Sequence, residues 1–150
     1  MTAPRAKPHD RADYPHFQPI TTRWIDNDAY GHINNVVYYA FFDTVVNTWL
    51  IEQGALDIAT SPVVGFVVET GCNYFAPLTY PEKVFAGLRV ANVGRSSVRY
   101  EIALFAEDAT TAAAQGHFVH VYVDRATQRP VPIPEPLERA LRPLLAHASA

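Results

Sequence analysis

The sequence has little cysteine, no excess of positive charge and no long uninterrupted apolar run. Cys72 is the single cysteine, which excludes an internal disulfide and a cysteine-rich zinc cluster. Twelve Lys and Arg against 15 Asp and Glu give a net charge of −3, and no basic run breaks that balance. The charge pattern therefore provides no basic surface that would attract the phosphates of a nucleic acid, and we expect no nucleic-acid partner.

The hydrophobic stretches are also too short for a membrane. The most apolar one, residues 36–46, contains Asp43 and is well below the length that crosses a bilayer. The first 19 residues hold four prolines among charges and histidines and have no apolar core of the kind a secretory signal needs. We therefore expect no membrane partner and a cytoplasmic location.

What the sequence does have is the apolar content of a folded domain. The 150 residues are 49% hydrophobic, enough to bury a core without covalent cross-links. We predict an N-terminal tail or arm over residues 1–19, one folded domain over 20–135 and a short C-terminal helix over 136–150.

Hydrophobic periodicity divides the domain into elements. Apolar side chains recur at three- and four-residue spacing through residues 35–53, which predicts a long helix, with Asn34 or Asn35 at its start and Gly54 at its end. Residues 20–25 favour a strand, and residues 63–75, 82–93, 97–106 and 112–124 show the two-residue alternation of strands. The class is therefore α+β.

Sequential strands with short turns predict an antiparallel sheet. One helix covers one face of such a sheet, so we expect the sheet to curl around the helix and its remaining apolar surface to meet a second copy of the chain.

The chemistry-bearing residues are concentrated just before the helix, in the segment RWIDNDAYGHINN at 23–35. The start of a helix has free backbone N–H groups and a positive dipole end, which would polarise an acyl carbonyl and stabilise an oxyanion. A carboxylate on the preceding loop could act as a general base or a nucleophile. Together these are the minimum requirements for hydrolysing an activated acyl bond.

This segment resembles the hotdog-fold acyl-CoA thioesterases of the 4-hydroxybenzoyl-CoA thioesterase type. The matching residues are Asp26-x-Asp28-x-x-Gly31-His32-x-Asn34-Asn35, with Tyr38 on the helix and a terminal Val123-Asp124-x-x-Thr127-x-x-Pro130 segment. The resemblance implies a hotdog fold, in which a five-stranded curved antiparallel sheet wraps around one long central helix, here with a short C-terminal helix added.

The resemblance also implies a function and a set of site residues. Asp28 would be the catalytic carboxylate, and backbone amides around Asn34, Asn35 and Val36 would hold the thioester carbonyl. Two chains would pair sheet to sheet, with a further pairing of dimers into tetramers, and the active site would lie at the subunit interface. Neither a metal nor another cofactor would be needed, since coenzyme A is part of the substrate.

Each of these residues also has a structural interpretation. Asp28 could form a local turn, and Asp26 could hold the loop or pair with Arg23. His32 could orient Asp28, contact substrate or satisfy loop carbonyls. Asn34 and Asn35 could serve as loop and cap residues, with Asn35 near the carbonyl.

Tyr38, Glu69 and Cys72 are candidates further along the chain. Tyr38 could line the acyl pocket or belong to the core. Glu69 is a reserve carboxylate whose alternative is a strand position facing solvent or an interface. Cys72 is interpreted as a small buried residue, since no histidine is placed to activate it.

The turn at Gly94 is the candidate contact for the coenzyme A arm. Arg95 could bind a phosphate, and Ser96 or Ser97 could bond the pantetheine or a phosphate; the alternative is a solvated hairpin turn.

The sequence leaves three other functions open. An enoyl-thioester hydratase or dehydratase of the same fold resembles an Asp-x-Asn-Pro-x-His pattern, which Asp28, Ala29 and Gly31 do not match. A non-catalytic acyl-CoA binding module is compatible with the fold. A metal hydrolase would have only three visible ligands, Asp26, Asp28 and His32. The acyl group itself is left open.

Overall fold

The computed structural model describes residues 5–145, which form one curved antiparallel sheet around a central helix. In chain order the elements are β1 (His16–Ile20), α1 (Val37–Glu52), β2 (Val63–Tyr74), β3 (Val84–Val93), β4 (Ser97–Ala106), β5 (Ala114–Asp124) and α2 (Glu135–Leu141). The predicted α+β architecture, with five strands, one long helix and a short C-terminal helix, is confirmed. The part of the predicted C-terminal helix beyond Leu145 lies outside the described residues.

The strand order is β1-β3-β4-β5-β2, so β2 lies at one edge and β1 at the other. Register fixes which ends meet: Tyr74 pairs with Ala114 at one end of β2, and Val63 pairs with Asp124 at the other. Ser97 pairs with Val121, which places the turn between β3 and β4 at the Val63 end of the sheet.

The first strand is the main correction to the sequence-based prediction. A strand was expected at residues 20–25, but β1 occupies His16–Ile20, and Trp24–Asp26 form a single 3₁₀ turn. Trp24 and Ile25 have strand-forming side chains but are 81% and 76% exposed. Strand propensity requires a neighbouring strand on which the side chains can pack, and these two have none.

Residues 16–19, which fall in the segment expected to be a tail or arm, belong to the sheet. The preceding residues pack on the outer face of the sheet, where Tyr14 lies against Phe105. The guanidinium of Arg11 donates to the carbonyl oxygens of Ala106, Glu107 and Ala109 at 2.8, 3.1 and 2.9 Å. This segment covers apolar surface of β4 that would otherwise face water.

The helix α1 lies in the concave side of the sheet and supplies much of the core. Its buried side chains lie on one stripe, as the spacing predicted: Tyr38, Phe41, Phe42, Val45, Val46 and Leu50. Gly54 follows the helix and donates its N–H to the carbonyl of Ile51 at 3.0 Å. At the far end, the indole of Trp49 donates to the carbonyl of Ala140 at 2.9 Å, which ties α1 to α2.

The helix and the sheet approach each other closely at Gly116 of β5. A Cβ on this residue would lie 2.4 Å from a ring carbon of Phe42 and 2.6 Å from the carbonyl oxygen of Gly71. Only a residue without a side chain allows α1 to sit this deep, and the depth determines where the start of the helix points.

We therefore expect Gly116→Ala to destabilise the protein by about 1–3 kcal/mol, because the added methyl group overpacks a contact that backbone atoms cannot relieve. Denaturant unfolding measures the change. Gly94→Ala is the matched control, because its Cβ would meet mainly the rotatable hydroxyl of Ser97. Equal stability of Gly116→Ala and the native protein would contradict this account of helix placement.

Candidate active site

The loop between β1 and α1 is organised by a buried aspartate. The Asp26 carboxylate is 1% exposed and accepts hydrogen bonds from the Arg23 backbone N–H at 2.8 Å and from its guanidinium at 2.8 and 3.1 Å. Its carbonyl accepts from the N–H of Asn34 at 2.9 Å. The interpretation of Asp26 as the residue that holds the loop and pairs with Arg23 is confirmed.

Asp28 closes a small ring within the loop. One carboxylate oxygen, Oδ1, accepts from the backbone N–H of Tyr30 at 2.8 Å and of His32 at 3.4 Å, and the Asp28 N–H donates to the carbonyl of His32 at 2.8 Å. Within residues 5–145, the other oxygen, Oδ2, has no hydrogen-bond partner. The carboxylate thus orients its own loop through one oxygen and leaves the second available.

This carboxylate lines an open cleft of about 360 Å³ beside the start of α1. We call it the Asp28 cleft. Its lining residues come from the loop, from α1 and from the end of β2 with the chain that follows: Asp28, His32, Ile33, Asn35, Tyr38, Tyr74, Phe75, Ala76 and Pro77. The structure therefore brings together four of the predicted site residues, Asp28, His32, Asn35 and Tyr38.

The start of α1 differs in detail from the prediction. The helix begins at Val37 rather than residue 35, its N-cap is Val36 with no side-chain cap, and Asn34 forms a turn just before it. Its Oδ1 accepts from the N–H of Val36 at 3.0 Å, and its carbonyl accepts from the N–H of Val37 at 2.9 Å. Because the Val36 amide already has an acceptor, Asn35 is the predicted carbonyl-binding residue that the geometry favours.

Tyr38 and Tyr74 form the floor of the cleft, with ring centroids 4.9 Å apart. Tyr38 is 3% exposed, so it belongs to the core and lines the cleft at the same time. The Tyr74 hydroxyl donates to the carbonyl of Asn35 at 2.7 Å, which joins the end of β2 to the start of the helix. Sequence reasoning missed Tyr74, whose only signal was its position at the end of a strand.

Cys72 lies near the same strand end, and its thiol is unreactive at neutral pH. Burial raises the pKa of its thiol to about 11, so it stays protonated at neutral pH and is a poor nucleophile. Cys72 is half-buried rather than fully buried, and its protonated thiol agrees with the interpretation that it is not a nucleophile.

Glu69 is not part of the cleft. It lies on the opposite face of β2 from Cys72 and Tyr74, where its carboxylate contacts His117 Nε2 at 2.9 Å and Arg99 Nη1 at 3.6 Å. The geometry matches its alternative interpretation as an outward-facing strand residue.

Arg95, Ser96 and Ser97 lie at the other end of the sheet from the Asp28 cleft of the same chain. Their backbone carbonyls accept from the N–H groups of Ile133, Tyr122 and Gly94 at 2.9, 2.7 and 2.7 Å respectively. One chain alone therefore does not bring this turn to Asp28.

Sequence reasoning also missed His120 of β5, which is 4% exposed. Both ring nitrogens are buried, and neither has a hydrogen-bond partner in the part of the chain that the structure describes. Burial lowers the pKa of His120 to about 4, with a smaller opposing effect from the carboxylate of Asp43. In the sequence, His120 occupies one position of an alternating strand, and no neighbouring residue indicates that its imidazole is buried without a partner.

No group of three or more His, Cys, Asp or Glu side chains within residues 5–145 is close enough to hold a metal ion. Across the same residues, no helix combines the length and apolar character needed to cross a membrane.

Comparison with known proteins gives the family of this chain. The sequence profile of the thioesterase-like superfamily matches residues 20–141. The chain belongs to this superfamily, which confirms the predicted hotdog thioesterase resemblance and its enzyme class, thioester hydrolase. No curated protein matches the chain significantly.

Solved structures share the fold over most of the chain. The PA5185 protein of Pseudomonas aeruginosa PAO1 is 56% identical, with a TM-score of 0.92 over 95% of this chain and 100% of its own. A thioesterase of Thermus thermophilus, crystallised with coenzyme A and Zn, is 26% identical, with a TM-score of 0.70 over 88% and 95%. The 1,4-dihydroxy-2-naphthoyl-CoA thioesterase Slr0204 of Synechocystis is 15% identical, with a TM-score of 0.76 over 83% and 93%, and shows likeness of fold alone.

The buried imidazole of His120 generates a prediction about acid stability. The pKa of His120 is lower in the folded protein than in the unfolded chain, so protons bind preferentially to the unfolded chain. The free energy of unfolding is therefore highest above pH 6.5 and falls as the pH drops towards 4. The shift corresponds to about 3 kcal/mol at most. Between pH 6.5 and 4, we expect the free energy of unfolding to fall less in the His120→Leu variant than in the native protein. Denaturant unfolding measures both, and an equal fall in the two proteins would contradict the burial argument.

Proposed function

We propose that this protein hydrolyses acyl-coenzyme A thioesters, with Asp28 as general base or nucleophile and the start of α1 as the site that stabilises the oxyanion. The observation that carries the proposal is the Asp28 cleft, where a carboxylate with a free oxygen lies beside a helix start in a thioesterase-like fold.

Two features of the loop support a chemical role for Asp28. The ring of hydrogen bonds with Tyr30 and His32 holds the carboxylate in one orientation, and a preoriented group loses less freedom on reaching the transition state. The free Oδ2 can take a proton from water or attack the carbonyl carbon itself. His32 contacts Asp28 through its backbone, so its exposed ring is left for substrate contact.

The reaction balances without a further reactant. In the general-base route, the water oxygen attacks the thioester carbon as Asp28 takes its proton, and negative charge builds on the carbonyl oxygen. That oxygen lies near Asn35 and the positive end of the α1 dipole, which stabilises the charge. The C–S bond then breaks, the carboxylic acid leaves, and the thiolate of coenzyme A takes up the proton. In the nucleophilic route, Asp28 Oδ2 attacks the carbonyl carbon and the C–S bond breaks, which releases the thiolate of coenzyme A. Water then hydrolyses the acyl-aspartate to the free acid and regenerates Asp28, and the thiolate takes up a proton that this step releases.

Coenzyme A as the thiol half of the substrate is supported by the Thermus thermophilus thioesterase, which shares 26% of its sequence and was crystallised with coenzyme A. The Asp28 cleft is wide open in one chain, so a complete site requires a second surface.

We propose that a second copy of the chain supplies that surface by pairing along β2. This strand is at the sheet edge and 12 residues long, and it exposes Phe66, Val67 and Val68 by 59%, 41% and 56%. Long, apolar edge strands pair readily with another strand. Pairing of β2 with its copy would extend the sheet across a twofold axis and cover the apolar edge. A further pairing of dimers into tetramers remains a prediction.

Asp28→Asn tests the chemical role. We expect a fall in kcat of about 10²–10⁴-fold, because the amide can neither accept the proton nor attack the carbonyl. A thiol-detecting assay over a panel of short, medium, long and aromatic acyl-CoAs measures it. Asp124→Asn is the matched control, because Asp124 Oδ1 caps a similar turn, accepting from Ala126 and Thr127 at 2.9 Å, away from the cleft.

Native turnover in Asp28→Asn would remove Asp28 from the mechanism. Tight binding of acyl-CoA by the native protein with no hydrolysis of any panel member would instead favour a non-catalytic binding module.

Val68→Lys tests the assembly. A buried lysine at the centre of a β2–β2 interface is unfavourable, so we expect a monomer by sedimentation equilibrium and loss of most activity. Pro19→Lys places the same charge on β1, the opposite edge, and should leave the oligomeric state unchanged. A native protein that sediments as a single chain would refute the proposed interface.

A further inference from the structure

The chain that leaves β2 lies against the loop that carries Asp28. We call residues 74–80, with the sequence YFAPLTY, the connecting segment. Its own position is fixed by the sheet and the core: the backbone N–H groups of Phe75 and Ala76 both donate to the carbonyl of Ala113, at 2.8 and 3.0 Å, and Leu78 is 1% exposed. The segment is therefore a firm support for the loop.

Backbone atoms of the connecting segment hold the loop on both sides of Asp28. The carbonyl of Leu78 accepts from the N–H of Ile33 at 2.8 Å. The N–H of Tyr80 donates to the side-chain oxygen of Asn27 at 3.0 Å. Two side-chain hydroxyls of the segment add contacts that bear directly on the groups of the site.

The first hydroxyl is that of Thr79, which donates to the carbonyl oxygen of Gly31 at 2.7 Å. The alternative acceptor, the carbonyl oxygen of Tyr80, lies farther away at 3.2 Å. The Gly31 carbonyl and the N–H of His32 belong to one planar peptide group, and this N–H donates to Asp28 Oδ1 at 3.4 Å. Glycine restrains the backbone least of all residues, so an external contact is needed to keep this peptide in one orientation. The Thr79 hydroxyl provides that contact.

The second hydroxyl is that of Tyr74, which donates to the carbonyl oxygen of Asn35 at 2.7 Å. In a regular helix this carbonyl would accept from the N–H four residues later, but the N–H of Tyr39 donates to the carbonyl of Val36 at 3.3 Å. The Asn35 carbonyl shares its peptide group with the N–H of Val36, which donates to Asn34 Oδ1 at 3.0 Å. This peptide group is thus held at both ends by side chains.

The backbone N–H of Asn35 is the donor left over at the start of the helix. Within residues 5–145 it makes no hydrogen bond, and Asn35 lines the Asp28 cleft. The peptide groups before and after Asn35 meet at its Cα, so fixing the second one limits the rotation of the first, which carries this N–H. The Tyr74 hydroxyl therefore restrains the direction in which the free N–H points.

We propose that the hydroxyls of Thr79 and Tyr74 are positioning groups for the reaction, Thr79 for the Asp28 carboxylate and Tyr74 for the N–H of Asn35. The proposal rests on the proposed function. A base or nucleophile and an oxyanion donor must be aligned on the same thioester carbon, and one rigid segment that contacts both supporting peptides sets their relative placement. Each hydroxyl acts through a peptide group and needs no contact with the substrate.

Thr79→Val tests the first hydroxyl, because it removes the hydroxyl with little change of shape. We expect kcat to fall about tenfold with KM within about twofold of the native value, since misalignment affects the transition state more than binding. Thr79→Ser keeps the hydroxyl and should recover most of kcat. Thr44→Val is the matched control: the Thr44 hydroxyl also donates to a backbone carbonyl, that of Ala40 at 2.8 Å, but on α1 and outside the cleft. Native kcat in Thr79→Val, or an equal loss in Thr79→Ser, would overturn the role of Thr79.

Tyr74→Phe tests the second hydroxyl and keeps the ring that packs on Tyr38. We again expect kcat to fall about tenfold with KM within about twofold. Tyr14→Phe is the matched control, because the Tyr14 hydroxyl contacts His9 Nδ1 at 2.8 Å on the outer face of the sheet. A raised KM with native kcat would make Tyr74 a substrate contact instead of a positioning residue and would overturn its role.

Amide hydrogen exchange, measured by NMR without substrate, separates positioning from a general loss of stability. Each hydroxyl has a reporter on its own peptide group, the N–H of His32 for Thr79 and the N–H of Val36 for Tyr74. We expect Thr79→Val to speed exchange at His32 about fivefold and leave Val36 unchanged, and Tyr74→Phe to do the reverse. Faster exchange at both reporters in either variant would indicate general loosening and would overturn the proposal.

Failure of this proposal is distinguishable from failure of the proposed function. If the native protein hydrolyses thioesters and both variants match it, the positioning roles fail while the hydrolase assignment stands. If the native protein hydrolyses no member of the acyl-CoA panel, the proposed function fails, and positioning for that reaction fails with it. The exchange rates then still report whether the two hydroxyls hold these peptide groups.

Discussion

The depth at which α1 packs into the sheet is the constraint on which the rest of the structure depends. Phe42 rests directly on Gly116, and the backbone of Gly71 closes the same contact from the neighbouring strand. This contact sets the position of the 16-residue helix α1. The start of the helix lies beside the Asp28 cleft, and its second half lines a cavity of about 200 Å³ that His120 also lines. A change of side-chain volume at the crossing point would move both.

The loop before the helix contains a carboxylate whose two oxygens have different surroundings. Asp28 accepts backbone hydrogen bonds through Oδ1 and leaves Oδ2 unbonded within the described part of the chain. In the proposed mechanism the turn-forming role prepares the chemical one, because the fixed oxygen orients the free one. Asp26 has no such division, since both of its oxygens are bound to Arg23.

The edge strand β2 connects these local features to the proposed dimer. Its exposed apolar side chains leave one edge of the sheet uncovered. The start of β2 lines the cavity that contains His120, and Tyr74 at its end lines the Asp28 cleft. Antiparallel pairing of two copies of this strand, as proposed above, would bring unlike ends together. The same geometry would explain why Arg95, Ser96 and Ser97, predicted to contact the coenzyme A arm, lie at the end of the sheet far from their own chain's Asp28.

Much of this protein is already determined by local sequence. The helical period of residues 35–53 and the two-residue alternation of the last four strands each report which side chains must be buried, and burial decides those elements. The turns formed by Asp28 and Asn34 are also local, because both side chains bond backbone groups within four residues. Only the tertiary structure decided the rest. The strand at His16–Ile20 exists because β3 lies beside it, whereas Trp24 and Ile25 have no neighbouring strand and stay exposed. The roles of Tyr74 and His120 depend on which distant side chains surround them, and no periodicity in the sequence records that.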